Sequence, residues 1–529
     1  MDIKEKLSLG LADFENIIKE DKIYVDKTDM IEKIIRLKRK YYFLSRPRRF
    51  GKSLCISTLK NLFEGKKELF KGTYIYGSWD WDETYPVIRL DLSNPKSQSS
   101  EKFEKSLNFY LDSVAEDEFS FELRAKFSND KFSELIRNVC KNTGKKVVVL
   151  IDEYDKAMLA NADNEKIATN IRDDVLKDFY GALKSLESSL KFVFITGVSK
   201  FAKTSIFSDL NNLVDLTIRE EFSTICGYTQ KELEDYFKEF IIESSEKQYM
   251  GEIDLLKLIK EWYNGYSWDG MNFLYNPYSI LSFFDTDEFD NYWFETGTPS
   301  FLIRIMEKKN NIDILFDKSL NLFGSFPNFD VNNLDLKTIL LQSGYLTIKK
   351  KTINPGELTK YDLDIPNKEV RESLFSYILG TCLDRTGEDT YSIAKDMVRQ
   401  LISVDEAGFQ RSLEVLFKSI NYSLHSKLND MEAFYHILFL SWMQIIGFDI
   451  QGEVIQLTNR LDGLLIKDNY VIILELKYSK SESLDKLLDK AINQIKENGY
   501  YKPYQNKKTI IFVGIAFKNK DVKCRILKP

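Results

Sequence analysis

"YYFLSRPRRFGKSLCISTLKNLF", residues 41–63, decides how the rest of the chain is read. An apolar run of strand character ends in a basic loop, and an amphipathic helical pattern follows. The loop closes on Gly51-Lys52-Ser53, the end of the phosphate-loop pattern G-x-x-x-x-G-K-[ST]. The first glycine of that pattern would stand where the chain has Arg46. Such a loop works because main-chain N–H groups and a lysine surround phosphate oxygens while a Ser or Thr hydroxyl holds Mg²⁺. Gly51 permits the turn, Lys52 reaches the outer phosphates and Ser53 binds the metal. Arg46, Pro47, Arg48, Arg49, Phe50, Gly51, Lys52, Ser53 and Leu54 together form the expected nucleotide-binding stretch. Pro47 is expected to bend the loop in place of the missing glycine. The three arginines read as phosphate contacts, as contacts to a neighbouring element, or as a solvated basic face. Alone, Gly-Lys-Ser also fits a basic turn before a helix.

Two later strands narrow the choice. "KKVVVLIDEYDKAM" (145–158) is an apolar strand ending in Asp152-Glu153. Asp152 is placed to assist a metal and Glu153 to polarise a water; a strand whose acidic edge caps the next helix is the other reading. "FVFITGVSK" (192–200) ends a third strand at Thr196, which can sense a γ-phosphate or simply close a turn with Gly197. The set of strand, Gly-Lys-Ser loop and helix, then strand-Asp-Glu, then strand-Thr is much more specific than any member.

The bulk properties agree. A chain of 529 residues with 43% hydrophobic and 29% charged residues has ample material for several cores. A net charge of -6 neither advertises nor excludes nucleic-acid binding, because a groove can be basic on an acidic chain. Five scattered cysteines, never as C-x-x-C, argue against a disulfide framework or structural zinc. With two histidines, His425 and His436, multi-histidine metal chemistry is nearly excluded. No signal core and no membrane-length apolar run are visible, so no membrane partner and a cytoplasmic location are expected.

Runs at 41–45, 86–93, 146–152, 191–197 and 213–218 are apolar rather than alternating, as in parallel strands buried on both faces. Helical patterns separate them, which implies a parallel α/β sheet. Residues 98–140 read as a helical insertion between the second and third strands. Residues 330–375 read as helix, strand pair and helix, a small winged-helix-like module.

A second site is written near the C-terminus in "NRLDGLLIKDNYVIILELKYSK" (459–480). Asp462 precedes one strand and Glu475-Leu476-Lys477 closes the next. Strand periodicity puts Glu475 and Lys477 on one face. Two carboxylates make a hard oxygen site suited to Mg²⁺, with Mn²⁺ as a substitute, and a lysine beside them can orient a water or meet a phosphate. Glu432 on an upstream helix can join the metal shell, and Gln494 on the downstream helix can position water or phosphate. A hairpin with a surface Glu–Lys pair is the plainer alternative. His436 reads as a packing residue near the site.

"YVDKTDMIEKI", "FLSRPRRFGKSL", "VLIDEYDKAM" and "ITGVSKFAKTSIFSDLNNLVDLT" together resemble the bacterial AAA-ATPase-like family, and the resemblance continues through "ICGYTQKELEDYF", "WYNGYSW", "YNPYSIL" and "LLQSGYLTI". The R-P-R-R-F-G-K-S loop is the form that family uses. Residues 420–529 resemble the PD-(D/E)XK nuclease superfamily domain fused to such proteins, although the first motif reads "RLDG" rather than "PD". The resemblance implies a P-loop ATPase core at 1–225, a helical lid at 226–310, a winged-helix-like element at 311–375, a helical connector at 376–419 and a nuclease-like α/β domain at 420–529. It implies ATP bound through the phosphate loop, Asp152 and Thr196, with Glu153 catalytic and Mg²⁺ on Ser53 and Asp152. At the second site it implies Asp462, Glu475, Lys477 and Gln494 as catalytic, with Mg²⁺ on Glu432, Asp462 and Glu475. The expected function is an ATPase that controls or drives a nuclease acting on nucleic acid, with DNA as the expected substrate. A nucleotide-gated switch whose nuclease-like domain binds without cutting is the alternative. No arginine finger is assignable; one supplied in trans would require a homo-oligomer.

Overall fold

The computed structural model describes residues 3–161, 164–200, 206–207, 210, 212–295, 320–324, 336–382, 387–418, 439, 449–456, 459–467, 469–505, 508–518 and 521–529. The chain forms two compact units, Met1–Ile305 with Asn321–Glu369, and Met306–Leu320 with Val370–Pro529.

The first unit is built on a parallel sheet of β1 (Tyr41–Ser45), β2 (Val87–Asp91), β3 (Val147–Asp152), β4 (Leu190–Gly197) and β5 (Val214–Asp215), in the order β2-β3-β4-β1-β5. Every residue of β1 and β3 is buried, which is why their sequences do not alternate. β4 lies between β1 and β3, so Val193 pairs with Tyr41 on one side and Val149 on the other. Thr196 therefore stands between the strand that feeds the loop and the strand that ends in Asp152. The expected strand at 213–218 shrinks to Val214–Asp215. After Asp215 its carboxylate accepts the Thr217 N–H at 2.9 Å and turns the chain away. The expected insertion between β2 and β3 is present as helices Ser100–Phe119 and Ser128–Thr143.

Five helices follow between Gln230 and Glu295, around a core that includes Leu233, Phe237, Phe240, Ile259, Phe283 and Phe284. Thr229 and Glu232 form a capping box at the first of these helices, and Asn276 caps the helix opened by Pro277. After the helix Leu336–Ser343 come β7 (Thr347–Thr352) and β8 (Lys360–Asp364), which form an antiparallel sheet with β6 (Asn321–Phe323) in the order β6-β8-β7. The order of helix, then strand pair, is the one expected for residues 330–375. Of the three parts expected as 1–225, 226–310 and 311–375, Met1–Ile305 and Asn321–Glu369 fall in one unit, while Met306–Leu320 and the residues from Val370 on fall in the other. Gly265 shows how closely they pack: its φ is +111°, and a Cβ there would lie 2.0 Å from the Pro366 carbonyl oxygen, so only glycine fits.

The second unit carries a mixed sheet of β9 (Asp449–Gln456), β10 (Asn459–Lys467), β11 (Tyr470–Tyr478), β12 (Thr509–Lys518) and β13 (Asp521–Leu527), in the order β13-β12-β11-β10-β9. β11 and β12 are parallel and the other pairs antiparallel. A parallel pair needs a crossover, and helix Leu484–Asn498 supplies it. Its buried Leu488, Ile492 and Ile495 recur at helical spacing. β13 lies at the edge of this sheet, beyond β12. Its sequence "DVKCRIL" alternates, with Val522, Cys524 and Ile526 buried. Among the described residues, no helix is long and apolar enough to cross a membrane.

Candidate active sites

The phosphate loop turns through two left-handed positions, Arg49 at φ +62° and Gly51 at φ +93°. Its curvature is thus made at position 49 rather than at position 46, and Arg46 does something else. Arg46 is 0% exposed, and its guanidinium donates to the carbonyls of Ser45 (2.8 Å), Thr217 (2.9 Å) and Phe222 (3.2 Å) while stacking 4.0 Å above Trp268. The reading of Arg46 as a phosphate contact is corrected: fully buried, with Nη1 and Nη2 bonded to main-chain carbonyls inside the core, it buttresses the loop from behind. Burial lowers its pKa only to about 10, so the charge remains at neutral pH.

Pro47 is buried, Arg48 half-buried and Arg49 exposed, with its guanidinium 4.8 Å over Tyr278. Phe50 is buried edge-on against Tyr266 and Trp268. Phe50 and Leu54 also line a narrow cleft of about 50 Å³ beside Gly51, with Tyr24, Val25, Ile225 and Tyr228. Lys52 and Ser53 open helix Lys52–Phe63, whose first N–H groups and dipole favour an anion. Lys52 Nζ donates to the Pro47 carbonyl at 3.0 Å and lies 3.7 Å from Glu153.

Across the sheet, Asp152 is nearly fully buried and its Oδ1 accepts from Thr196 Oγ1 at 2.5 Å and from the Glu153 N–H at 3.0 Å. Glu153 has φ +54°, a conformation that costs a non-glycine residue energy and that clusters at functional positions. Lys52, Glu153, Asp152 and Thr196 are thus linked by contacts. The hard oxygens of Ser53 and Asp152 suit Mg²⁺.

Sequence reading passed over Asp155. It is fully buried and accepts the N–H groups of Val198 (3.1 Å) and Ser199 (2.6 Å) and the Ser199 hydroxyl (2.5 Å), fixing the loop after Thr196. Burial, then the Glu153 charge, pushes its pKa up to about 6. The fourth position of Asp-Glu-Tyr-Asp was its only signal.

In the second unit Asp462 stands inside β10, not before it. The antiparallel register that pairs Gly463 with Leu474 brings it level with Glu475 on β11. Asp462 Oδ2 accepts the Leu476 N–H at 2.8 Å. Lys477 Nζ lies 3.2 Å from Glu475 Oε2 and 3.9 Å from Asp462 Oδ2, and Gln494 Nε2 donates to Glu475 Oε1 at 3.0 Å. Four sequence-predicted residues therefore converge. Glu475 is 0% exposed; burial, then the Asp462 charge, pushes its pKa up to about 9. A buried carboxylate facing a second carboxylate is the chemistry a divalent cation relieves, so the donor set fits Mg²⁺ or Mn²⁺. Among the described residues no group of three or more His, Cys, Asp or Glu is placed to hold a metal ion. Glu432 and His436 lie outside the described residues. Tyr500, missed in the sequence, is buried beside this group with its hydroxyl held by Asn498 Nδ2 at 2.6 Å. Burial raises its pKa, and the charges of Glu475 and Asp462 raise it further.

Comparison with known proteins gives the same two parts. Residues 8–207 match the family model described as "Predicted AAA-ATPase", and residues 430–525 match the PD-(D/E)XK nuclease superfamily. Over 525 residues the chain is 31% identical to an "Uncharacterized protein in vnfD 5'region" of Azotobacter chroococcum mcd 1, covering 97% of this chain and 96% of that protein. The chain belongs to the AAA-ATPase-like proteins that carry a C-terminal PD-(D/E)XK nuclease superfamily domain.

Proposed function

We propose that the protein binds and hydrolyses Mg-ATP in its first unit and thereby controls or drives a Mg²⁺-dependent phosphodiesterase in its second unit, with DNA as substrate. The observation that carries the reading is Glu475, a wholly buried carboxylate level with Asp462 and in contact with Lys477 and Gln494. Such a group is costly to leave uncompensated, and an intact Asp, Glu-x-Lys and Gln set supports a working site. The bound metal supplies Lewis-acid stabilisation and an activated water. Asp462 and Glu475 would hold it, Lys477 would meet the scissile phosphate or the attacking water, and Gln494 keeps the Glu475 carboxylate oriented.

In the first unit, Lys52 and the N–H groups of the loop would hold the phosphates, Ser53 and Asp152 the metal, and Glu153 would orient the attacking water. Thr196 bonds Asp152 and fixes its carboxylate. A protein of this kind acts in the cytoplasm. The test is divalent-dependent cleavage of plasmid and single-stranded DNA, and of RNA, by the purified full-length protein with and without ATP. Cleavage that needs a divalent ion and responds to ATP supports the reading. ATP turnover without cleavage under any condition favours a nucleotide-gated switch.

A further inference from the structure

We propose that Trp293 and Gln342, which lie outside the parallel sheet, position the two loops that meet the nucleotide's phosphates. The proposal rests on the ATPase reading above.

The phosphate loop follows β1, and the sensing loop follows β4. Both are gripped from one place. Trp293 is 3% exposed and its indole Nε1 donates to the Arg48 carbonyl at 3.1 Å, inside the phosphate loop. Gln342, also buried, accepts the Lys200 N–H through Oε1 at 3.0 Å, just beyond Thr196-Gly197. Between these bonds lies Gly344, with φ +93°. A Cβ there would stand 2.9 Å from Pro47 Cβ and Cγ and 3.3 Å from Trp293 Cζ2. The turn therefore presses on the phosphate loop with no room for a side chain. Tyr345 backs the indole at 5.2 Å between ring centroids.

The gripping group is itself anchored. The Trp293 main-chain N–H donates to Glu369 Oε1 at 2.7 Å, and Ser279 Oγ donates to Glu369 Oε2 at 2.8 Å. Glu369 is 0% exposed. An indole has one donor, and a buried donor that loses its acceptor is penalised. The phosphate loop cannot swing away from Trp293, nor the sensing loop from Gln342, without giving up these bonds. A phosphate cradle depends on converging N–H vectors, and a sensor depends on its distance from the γ-phosphate. Trp293 and Gln342 are positioning residues: neither is required to touch the nucleotide.

The two ties act on different loops, so their loss has different signatures. In the full-length protein, Trp293→Phe keeps an aromatic ring, smaller than the indole, and removes the donor; we expect ATP and ADP affinities to fall about tenfold with kcat retained within about threefold. Gln342→Leu removes the acceptor; kcat for ATP should fall about tenfold with KM within about twofold. Gln342→Glu keeps an acceptor and should restore kcat. Lys52→Ala and thermal unfolding are measured alongside. If Lys52→Ala abolishes nucleotide binding while Trp293→Phe and Gln342→Leu both match the wild type, the positioning proposal is overturned and the ATPase reading stands. If both variants lose kcat and affinity together in step with melting temperature, the residues are only structural and the proposal is again overturned. If wild type and Lys52→Ala bind ATP equally, the ATPase reading itself fails, and the proposal with it.

Discussion

Thr196 donates its hydroxyl proton to Oδ1 of Asp152 at 2.5 Å, across the adjacent strands β4 and β3. Together with the Glu153 N–H, the bond fixes the carboxylate where a metal must be held. Thr196→Val keeps the shape and removes the donor. Hydrolysis of ATP should drop about 10–100-fold while ADP affinity changes little, the scale of losing one buried hydrogen bond to a charged group. Steady-state turnover and calorimetry check this; unchanged turnover would remove Thr196 from the site.

Glu153 combines a reactive side chain with a left-handed backbone. Glu153→Gln should retain ATP and slow hydrolysis by about 10²–10⁴-fold, the usual range for a general base. Glu153→Gly should be equally inactive, yet as stable as wild type or more stable by up to about 1 kcal/mol, because glycine tolerates that φ. Denaturant unfolding beside turnover separates the two effects. A glycine variant that is clearly destabilised would show that no strain is stored at this residue.

At the second site the three charged residues should fail differently. Lys477→Ala should abolish cleavage while Mn²⁺ still binds. Asp462→Asn or Glu475→Gln should remove both cleavage and metal binding. Calorimetric Mn²⁺ titration and a plasmid-nicking assay make the comparison. Cleavage that survives all three substitutions would place the chemistry elsewhere.

Glu369 gives the protein a pH dependence whose sign is fixed. Burial raises its pKa from 4.5 to about 8, against the hydrogen bonds from Trp293 and Ser279, with Asp290 adding to the rise. Between those values the folded chain keeps a proton that the unfolded chain releases, so stability falls as pH rises through the window. Glu369→Gln removes this contribution. The stability difference between variant and wild type should therefore shift in favour of the variant from about pH 5 to about pH 8. Urea unfolding across that range reads it directly, and a difference that stays constant with pH would contradict it. Asp155 and Glu475 titrate in both proteins and cancel.

Much of this was legible because both sites sit at strand ends, where an apolar run stops abruptly at charged residues. Asp152-Glu153 and Glu475-Leu476-Lys477 are conspicuous for that reason, and period-2 geometry already put Glu475 and Lys477 together. Position in space was less legible. Nothing local to β4 says that it lies between β1 and β3, because parallel order is set by crossovers and not by the strand's residues. Arg46 looked like a phosphate ligand because its acceptors are carbonyls, and carbonyls carry no residue-type signature. Trp293 and Gln342 escaped for a related reason: Trp293 bonds a main-chain oxygen and Gln342 a main-chain N–H, respectively 245 and 142 residues away in the chain. Glu153's strain is invisible in a sequence, since glutamate does not announce a positive φ.

The buried Arg46 guanidinium also sets a timetable. Its partners at Thr217, Phe222 and Trp268 leave the ribosome long after the phosphate loop itself, and until they arrive the arginine is a cation with nowhere to be buried. A nascent chain that has emerged only to residue 207, the end of the matched ATPase region, holds the sequence of the loop without the means to set its shape. Nucleotide binding should therefore switch on late in synthesis, after the helical segment has followed the sheet. A fragment cut at that boundary should be a poor ATP binder even though it contains every residue of the motif.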